Sequence, residues 1–221
     1  MKKIIISTLI GFGLAGISWG NPIEFGFKGG INFASLVNRP DFYSVTSAQE
    51  VGFIGGIYAG IPLNNFLSLQ PGFDYSMKGI HYNLKAFSEN SPFGYIQVQG
   101  DGTSDERSDY LELPLLLKGS VHLGTDLKFS LLAGASAAYL LSEQYSYHYT
   151  NPPTLSPASG KYSFGGGNSL DFNFILGFEA EFENFILDAR WSVGFPYLFP
   201  ANNGDNITDD VISLQGGYRI F

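Results

Sequence analysis

The residues able to do chemistry in this chain are mostly charged side chains set among alternating apolar ones. Asp74, Lys78, Glu112, Lys118, Glu179, Asp188, Arg190 and Arg219 all fall on the polar parity of such runs. In an extended strand every second side chain points the same way, so the charges of each run share one face. Carboxylates and cations on facing strands pair, and these eight residues are the expected interior ionic network of a closed sheet. Such a network can fill a narrow lumen or line a gated ion path. Filling is the expected role, because eight strands leave little space beyond what side chains occupy.

Other reactive groups are sparse. Three histidines, His81, His122 and His148, are present. A hydrolytic triad needs serine, histidine and a carboxylate within hydrogen-bond reach, and no nucleophile-elbow motif accompanies these histidines. Acidic residues gather at Asp101, Asp105, Glu106 and Asp109, and again at Asp205, Asp209 and Asp210. Their spacing does not match a calcium-binding loop, so they read as solvated loop charge. Gly165-Gly166-Gly167 lacks the lysine and the strand-to-helix setting of a phosphate loop. Cysteine is absent, which excludes disulfides, thiolate metal sites and cysteine nucleophiles. The net charge of −8 disfavours nucleic-acid partners, which need clustered Lys and Arg. No catalytic, cofactor-binding or metal-ligating residue is assigned, no cofactor is implied, and the chain is expected not to be an enzyme.

The elements that position these residues are strands. Along 67–78, Leu67, Leu69, Pro71, Phe73, Tyr75 and Met77 occupy one parity, and Ser68, Gln70, Gly72, Asp74, Ser76 and Lys78 the other. The same split marks runs near 24–33, 52–61, 111–122, 128–140, 170–182, 185–195 and 212–220. In the fifth of the eight runs, Leu132 and Leu140 interrupt the polar parity. Each run is about the 9–11 residues that a tilted strand needs to cross a bilayer. Pro71 and Pro114 each remove a ladder donor inside a strand and predict bulges or local breaks.

Tight links near 62–66, 124–126 and 183–184 alternate with long links, rich in Asn, Asp, Ser, Pro and Gly, near 38–50, 83–108, 146–168 and 197–210. Short turns at one rim and long loops at the other, with the long loops outside the cell, are the pattern of outer-membrane barrels. The N-terminus is an export address. Lys2 and Lys3 precede an apolar stretch from Ile4 to Ile17, and Ser18-Trp19-Gly20 sets small residues for cleavage before Asn21. Residues 1–20 are therefore expected to be a cleaved signal peptide and residues 21–221 one barrel domain.

Which face meets lipid follows from charge. The polar parity carries both signs, while the apolar parity is almost free of charge through the strand middles. A charge facing lipid at the midplane costs about 2–4 kcal/mol. Only 14% of residues are charged, with 20 Phe and 13 Tyr, which suits strands that are half apolar. Trp191, Tyr75 and Tyr139 are candidates for the interfacial aromatic girdles. The chain ends Gly217-Tyr218-Arg219-Ile220-Phe221. Tyr218 and Phe221 are the expected insertion signal, although Phe221 lies one step out of phase with Tyr218 and Ile220. The fold class is thus all-β, an eight-stranded antiparallel up-and-down transmembrane β-barrel. The alternative is a secreted lipocalin-like barrel with the apolar face inside, and the direction of Phe73, Phe174 and Trp191 separates the two.

Four stretches carry a family likeness. They are Phe25-Gly26-Phe27-Lys28-Gly29-Gly30-Ile31-Asn32-Phe33, Phe53-Ile54-Gly55-Gly56-Ile57-Tyr58, Leu69-Gln70-Pro71-Gly72-Phe73-Asp74-Tyr75-Ser76-Met77-Lys78-Gly79, and Tyr110-Leu111-Glu112-Leu113-Pro114-Leu115-Leu116-Leu117-Lys118. In these the chain resembles the PorT-like outer-membrane β-barrel family common in Bacteroidetes. The resemblance implies an integral outer-membrane protein and brings no catalytic residue set.

The expected role is structural or one of surface interaction through the extracellular loops. The expected partners are outer-membrane lipid, the barrel-assembly machinery during insertion, and an extracellular or periplasmic protein of unknown identity. A narrow channel or a transport or secretion-accessory role is the functional alternative.

Overall fold

Residues that alternate apolar and polar with period two have two unlike faces to satisfy, and a closed sheet separates them completely. The computed structural model describes residues 22–37, 46–84, 102–149, 159–164, 170–195 and 208–221. They form β1 (Glu24–Val37), β2 (Thr46–Pro62), β3 (Leu67–Leu84), β4 (Gly102–Leu123), β5 (Leu127–Tyr149), β6 (Ser159–Phe164), β7 (Leu170–Phe182), β8 (Phe185–Gly194) and β9 (Thr208–Arg219). Eight of these close into an antiparallel ring in the order β1, β2, β3, β4, β5, β7, β8, β9, with β9 back on β1. The short β6 pairs with the far end of β5.

The stagger of the ring can be followed through one row of partners. It runs from Ile61 to Leu69, Leu117, Ala133, Leu176, Trp191, Ile212 and Phe33, and returns to β2 at Val51. The row comes back ten residues from its start, Ile61 to Val51. That shear over eight strands tilts them by about 40° to the barrel axis. Every member of the row lies on the outer surface, so the outward parity is continuous around the barrel.

The apolar side is outside. Phe73, Phe174 and Trp191 are 47%, 38% and 44% exposed, while Lys118 and Glu179 are 2% and 0% exposed. The lipocalin-like arrangement, with the apolar side in, is therefore not this fold.

Tight turns join β2 to β3, β4 to β5 and β7 to β8 at one rim, the lower. Gly124 takes φ 79° and Glu183 φ 54°, the left-handed region that glycine enters freely and glutamate does not. The ends of the chain meet at the same rim: Phe25 N donates to Phe221 O at 3.0 Å, and Ile220 N to Phe25 O at 2.7 Å.

Two expectations are corrected and one is narrowed. Of the bulges or local breaks expected at Pro71 and Pro114, the structure shows a local break and no bulge. The ladder lapses between the pairs Pro71–Leu115 and Asp74–Glu112, yet the register is the same on both sides. The Pro114 ring sits over Gly72, where a β-carbon would come within 2.9 Å of it. The bulges lie instead in β2 between Glu50 and Ile54, and in β5 opposite Asp109–Tyr110, where Leu141 is the extra residue. The two leucines that interrupt β5 have separate causes: Leu140 adjoins this bulge, while Leu132 is 1% exposed in a lumen cluster with Leu116 and Ile175.

Second, the stretches read as long loops are partly strand. β4 begins at Gly102 and β5 runs to Tyr149, with every position from Gly102↔Tyr149 to Asp109↔Ser142 in register. Alternation of apolar residues stops where lipid stops, but backbone pairing does not. Third, the stretch 146–168 contains β6, a ninth strand outside the ring. Residues 1–20, Asp101, Asp205 and Gly165-Gly166-Gly167 lie outside the described residues.

Candidate functional site

Inward-facing positions of neighbouring strands converge in a narrow lumen, so each charge meets partners from other strands. Glu179 of β7 is at the centre. Lys28 of β1 donates to one of its oxygens at 2.5 Å, and Lys118 of β4 donates to the other. Lys28 also reaches Asp188 of β8 at 2.5 Å. Asp188 is gripped by Arg190 at 2.8 Å, and Arg190 reaches Asp74 of β3 at 3.5 Å. Lys78 lies 3.5 Å from Glu112 and over the Tyr110 ring at 4.6 Å. Below, Lys128 contacts Glu181 at 2.8 Å and Glu24 at 3.2 Å. Arg219 contacts the same two carboxylates at 2.7 and 3.2 Å. Lys118, 4.0 Å from Glu181, links the two levels.

The eight expected residues thus lie in the lumen with four more, Glu24, Lys28, Lys128 and Glu181. Their parity places all four on the polar face, but only the ring shows that they join the same network. Six cations (Lys28, Lys78, Lys118, Lys128, Arg190, Arg219) meet six carboxylates (Glu24, Asp74, Glu112, Glu179, Glu181, Asp188). The balance matters, because each unpaired buried charge costs roughly several kcal/mol.

Neutral groups fill the rest. Asn32 donates to Ser76 and accepts from Ser213, and Asn173 donates to Ser136. A cavity beside Lys28, Tyr58, Gln70, Asp74 and Arg190 measures about 10 Å³, the space of a single water. Among the described residues, charged and polar side chains fill the lumen at this level, and the cavity beside them holds no more than one water.

Above the apolar belt, on the outer surface, Asp109 accepts hydrogen bonds from Tyr75 at 2.8 Å, Ser142 at 2.8 Å and Arg107 at 3.2 Å. Burial pushes its carboxyl up, but these donors outweigh it and hold it below the usual range. Facing the other way, Tyr145 donates to Glu143 at 2.6 Å and approaches Glu106 at 3.2 Å. Burial, then the carboxylates beside it, push its hydroxyl up. Trp191 donates to Asp210 at 2.5 Å, and Tyr139 is exposed on the same outer face.

His81 pairs with Asp105, whose other cross-strand neighbour is Ser146. The carboxylate, not the histidine, holds the middle place, which is the wrong order for a triad. His122 sits at the lower rim opposite Lys128, and His148 is exposed at the far end of β5. Tyr218 packs outward between Phe27 and Phe185, with ring centroids at 6.3 and 5.3 Å. Phe221 meets Phe25 edge-on at 6.0 Å and also borders the lower mouth.

A sealed ring with a charged interior and an apolar exterior can be set beside known proteins. The model of the outer membrane protein β-barrel domain matches residues 15–200. The chain belongs to that family. It is an outer-membrane β-barrel. No curated protein sequence matches it. Among solved structures it is similar to the attachment invasion locus protein Ail of Yersinia pestis, at 14% identity over 89% of this chain and 98% of that one, with a TM-score of 0.43. It is also similar to OprG of Pseudomonas aeruginosa, at 11% identity over 89% and 95%, TM-score 0.41. A third is the Neisserial surface protein NspA, at 14% over 90% and 99%, TM-score 0.38.

Proposed function

We propose that this protein is a sealed outer-membrane anchor that presents a wall of strands to a partner outside the cell. The observation that carries the reading is a contrast between two parts of one ladder. Within the apolar belt the lumen is filled by balanced charges. Beyond the belt, residues 102–109 and 142–149 continue fully paired, with β3 and β6 flanking them. Eight residues of strand past the belt rise roughly 20 Å at this tilt. A rigid polar wall of that height serves recognition and has no role in holding the barrel in lipid.

The reading includes cleavage of residues 1–20 as a signal peptide, with residues 21–221 as the barrel. It also includes insertion by the barrel-assembly machinery, and a place in the PorT-like branch on the strength of the four motif stretches. Catalysis is not part of it: among the described residues the His81–Asp105 pair has no nucleophile in the required order.

The chain has no cysteine, which makes the test direct. Ser146→Cys in the wall and Ser68→Cys at the lower mouth are labelled on intact cells with a membrane-impermeant maleimide. Labelling of position 146 alone is expected, and labelling of position 68 alone refutes the orientation. In planar bilayers the wild type is expected to be silent; steady conductance that changes with Glu179→Gln would favour the narrow-channel reading instead.

A further inference from the structure

Two prolines stand close together in the barrel wall, Pro71 on β3 and Pro114 on β4, and neither has an N–H to give to a ladder. The ladders lapse on both sides of β3 at this point. Toward β2 the pairs stop at Tyr58–Gly72 and resume at Ile61–Leu69. Toward β4 they stop at Pro71–Leu115 and resume at Asp74–Glu112. The cavity of about 10 Å³ lies against the same stretch, with Tyr58, Gln70, Gly72, Pro114 and Leu116 among its lining residues.

Two of the lining side chains carry polar atoms with nothing to bond. Gln70 is 2% exposed and Tyr58 6%. Gln70 Oε1 and Tyr58 Oη are both buried, and neither has a hydrogen-bond partner among the described residues. Buried polar side chains are nearly always hydrogen-bonded. The charged groups that line the same cavity are paired: Lys28 with Glu179 and Asp188, Arg190 with Asp188 and Asp74. We propose that the cavity is a binding site for one resident water, held by Gln70 and Tyr58, that ties β2 to β3 where the prolines interrupt the wall.

The chemistry of the lining selects water over an ion. A space of this size admits a single heavy atom. An anion there would meet the Gln70 oxygen and the Asp74 carboxylate. A cation would meet the Lys28 ammonium and the Arg190 guanidinium. Either would also upset a lumen in which six cations already balance six carboxylates. Water carries no charge and both donates and accepts, so it can donate to Gln70 Oε1 and exchange a hydrogen bond with the Tyr58 hydroxyl. Lys28 spends two of its three hydrogens on Glu179 and Asp188, which leaves a donor for the remaining lone pair of the water. Three partners are typical for a buried water.

The full chain is crystallised from detergent, the crystals are soaked in rubidium bromide, and diffraction is recorded at the absorption edges of both elements. One peak is expected in the cavity, about 2.7–3.2 Å from Gln70 Oε1 and Tyr58 Oη, with no anomalous signal at either edge. Gln70→Met keeps the length of the side chain and takes away its acceptor, and Tyr58→Phe removes only the hydroxyl. The peak is expected to vanish in the first variant and to lose occupancy in the second, with a heat-dependent gel shift reporting that each has folded. If either variant does not fold, the wild-type map decides the matter without it. An empty cavity, an anomalous peak of rubidium or bromide in it, or a peak of full height in both variants overturns the proposal.

Discussion

Removing the charge of Glu179 should rank with the costliest single changes to this barrel. The side chain has no solvent exposure, and its two oxygens serve Lys28 and Lys118 separately. In Glu179→Gln the shape is kept, but the amide has one acceptor oxygen for two ammonium groups. Lys28 retains Asp188 at 2.5 Å. Lys118 retains only Glu181, 4.0 Å away, so it carries most of the loss. Breaking a buried pair from one side costs about 3–5 kcal/mol, and the low end, ~3 kcal/mol, applies because the amide oxygen still serves one lysine. Lys118→Met should be costly for the mirror reason, leaving Glu179 with Lys28 alone. The double variant removes both charges and should fall short of the sum of the two by at least ~1.5 kcal/mol. Guanidinium unfolding in micelles, followed by tryptophan fluorescence and by gel mobility, measures all four corners. A cost below ~0.5 kcal/mol for Glu179→Gln, or additivity within that margin, would refute the argument that this pair is buried and coupled.

Neighbouring positions on β4 should both be sensitive, for different reasons. Leu115→Arg places a charge against lipid and is expected to destabilise by about 2–4 kcal/mol, while Leu116→Ala empties part of the lumen cluster and costs about 2–5 kcal/mol; a neutral Leu115→Arg in bilayer refolding assays would mean that this face is not in lipid. Glu183→Gly relieves a left-handed glutamate and should stabilise by up to ~1 kcal/mol, read as a higher midpoint of unfolding. Asp109 lies outside the apolar belt and its carboxyl is held below its ordinary value of about 4. Its stabilising contribution is therefore complete above the unfolded-state value and is lost as pH falls through the lower folded-state one. The stability gap between wild type and Asp109→Asn should accordingly shrink on acidification below pH ~4, and a gap that widens there would reverse the sign.

Much of the architecture is written locally. Alternation across Leu67 to Lys78 needs no neighbour to identify a two-faced strand, because side-chain direction in an extended chain depends only on parity. The turns at Gly124 and Glu183-Asn184 and the charge-free outward parity likewise come from short stretches. Local pattern also misleads where two physical demands separate. Gly102 to Asp109 and Ser142 to Tyr149 have loop composition, since no lipid selects apolar residues there, yet their backbones pair in full. Proline predicts a bulge or a local break from its missing donor; the ladder breaks beside Pro71 and Pro114, and register is kept because Gly72 leaves room for the Pro114 ring. The sequence by itself determined the fold class, the face that meets lipid and the set of charges that turns inward. Only the closed ring decided which of them touch. Lys28 and Glu179 are 151 residues apart in sequence, and no local rule couples them. Shear and closure bring them together, and with them the filled lumen and the wall above the membrane.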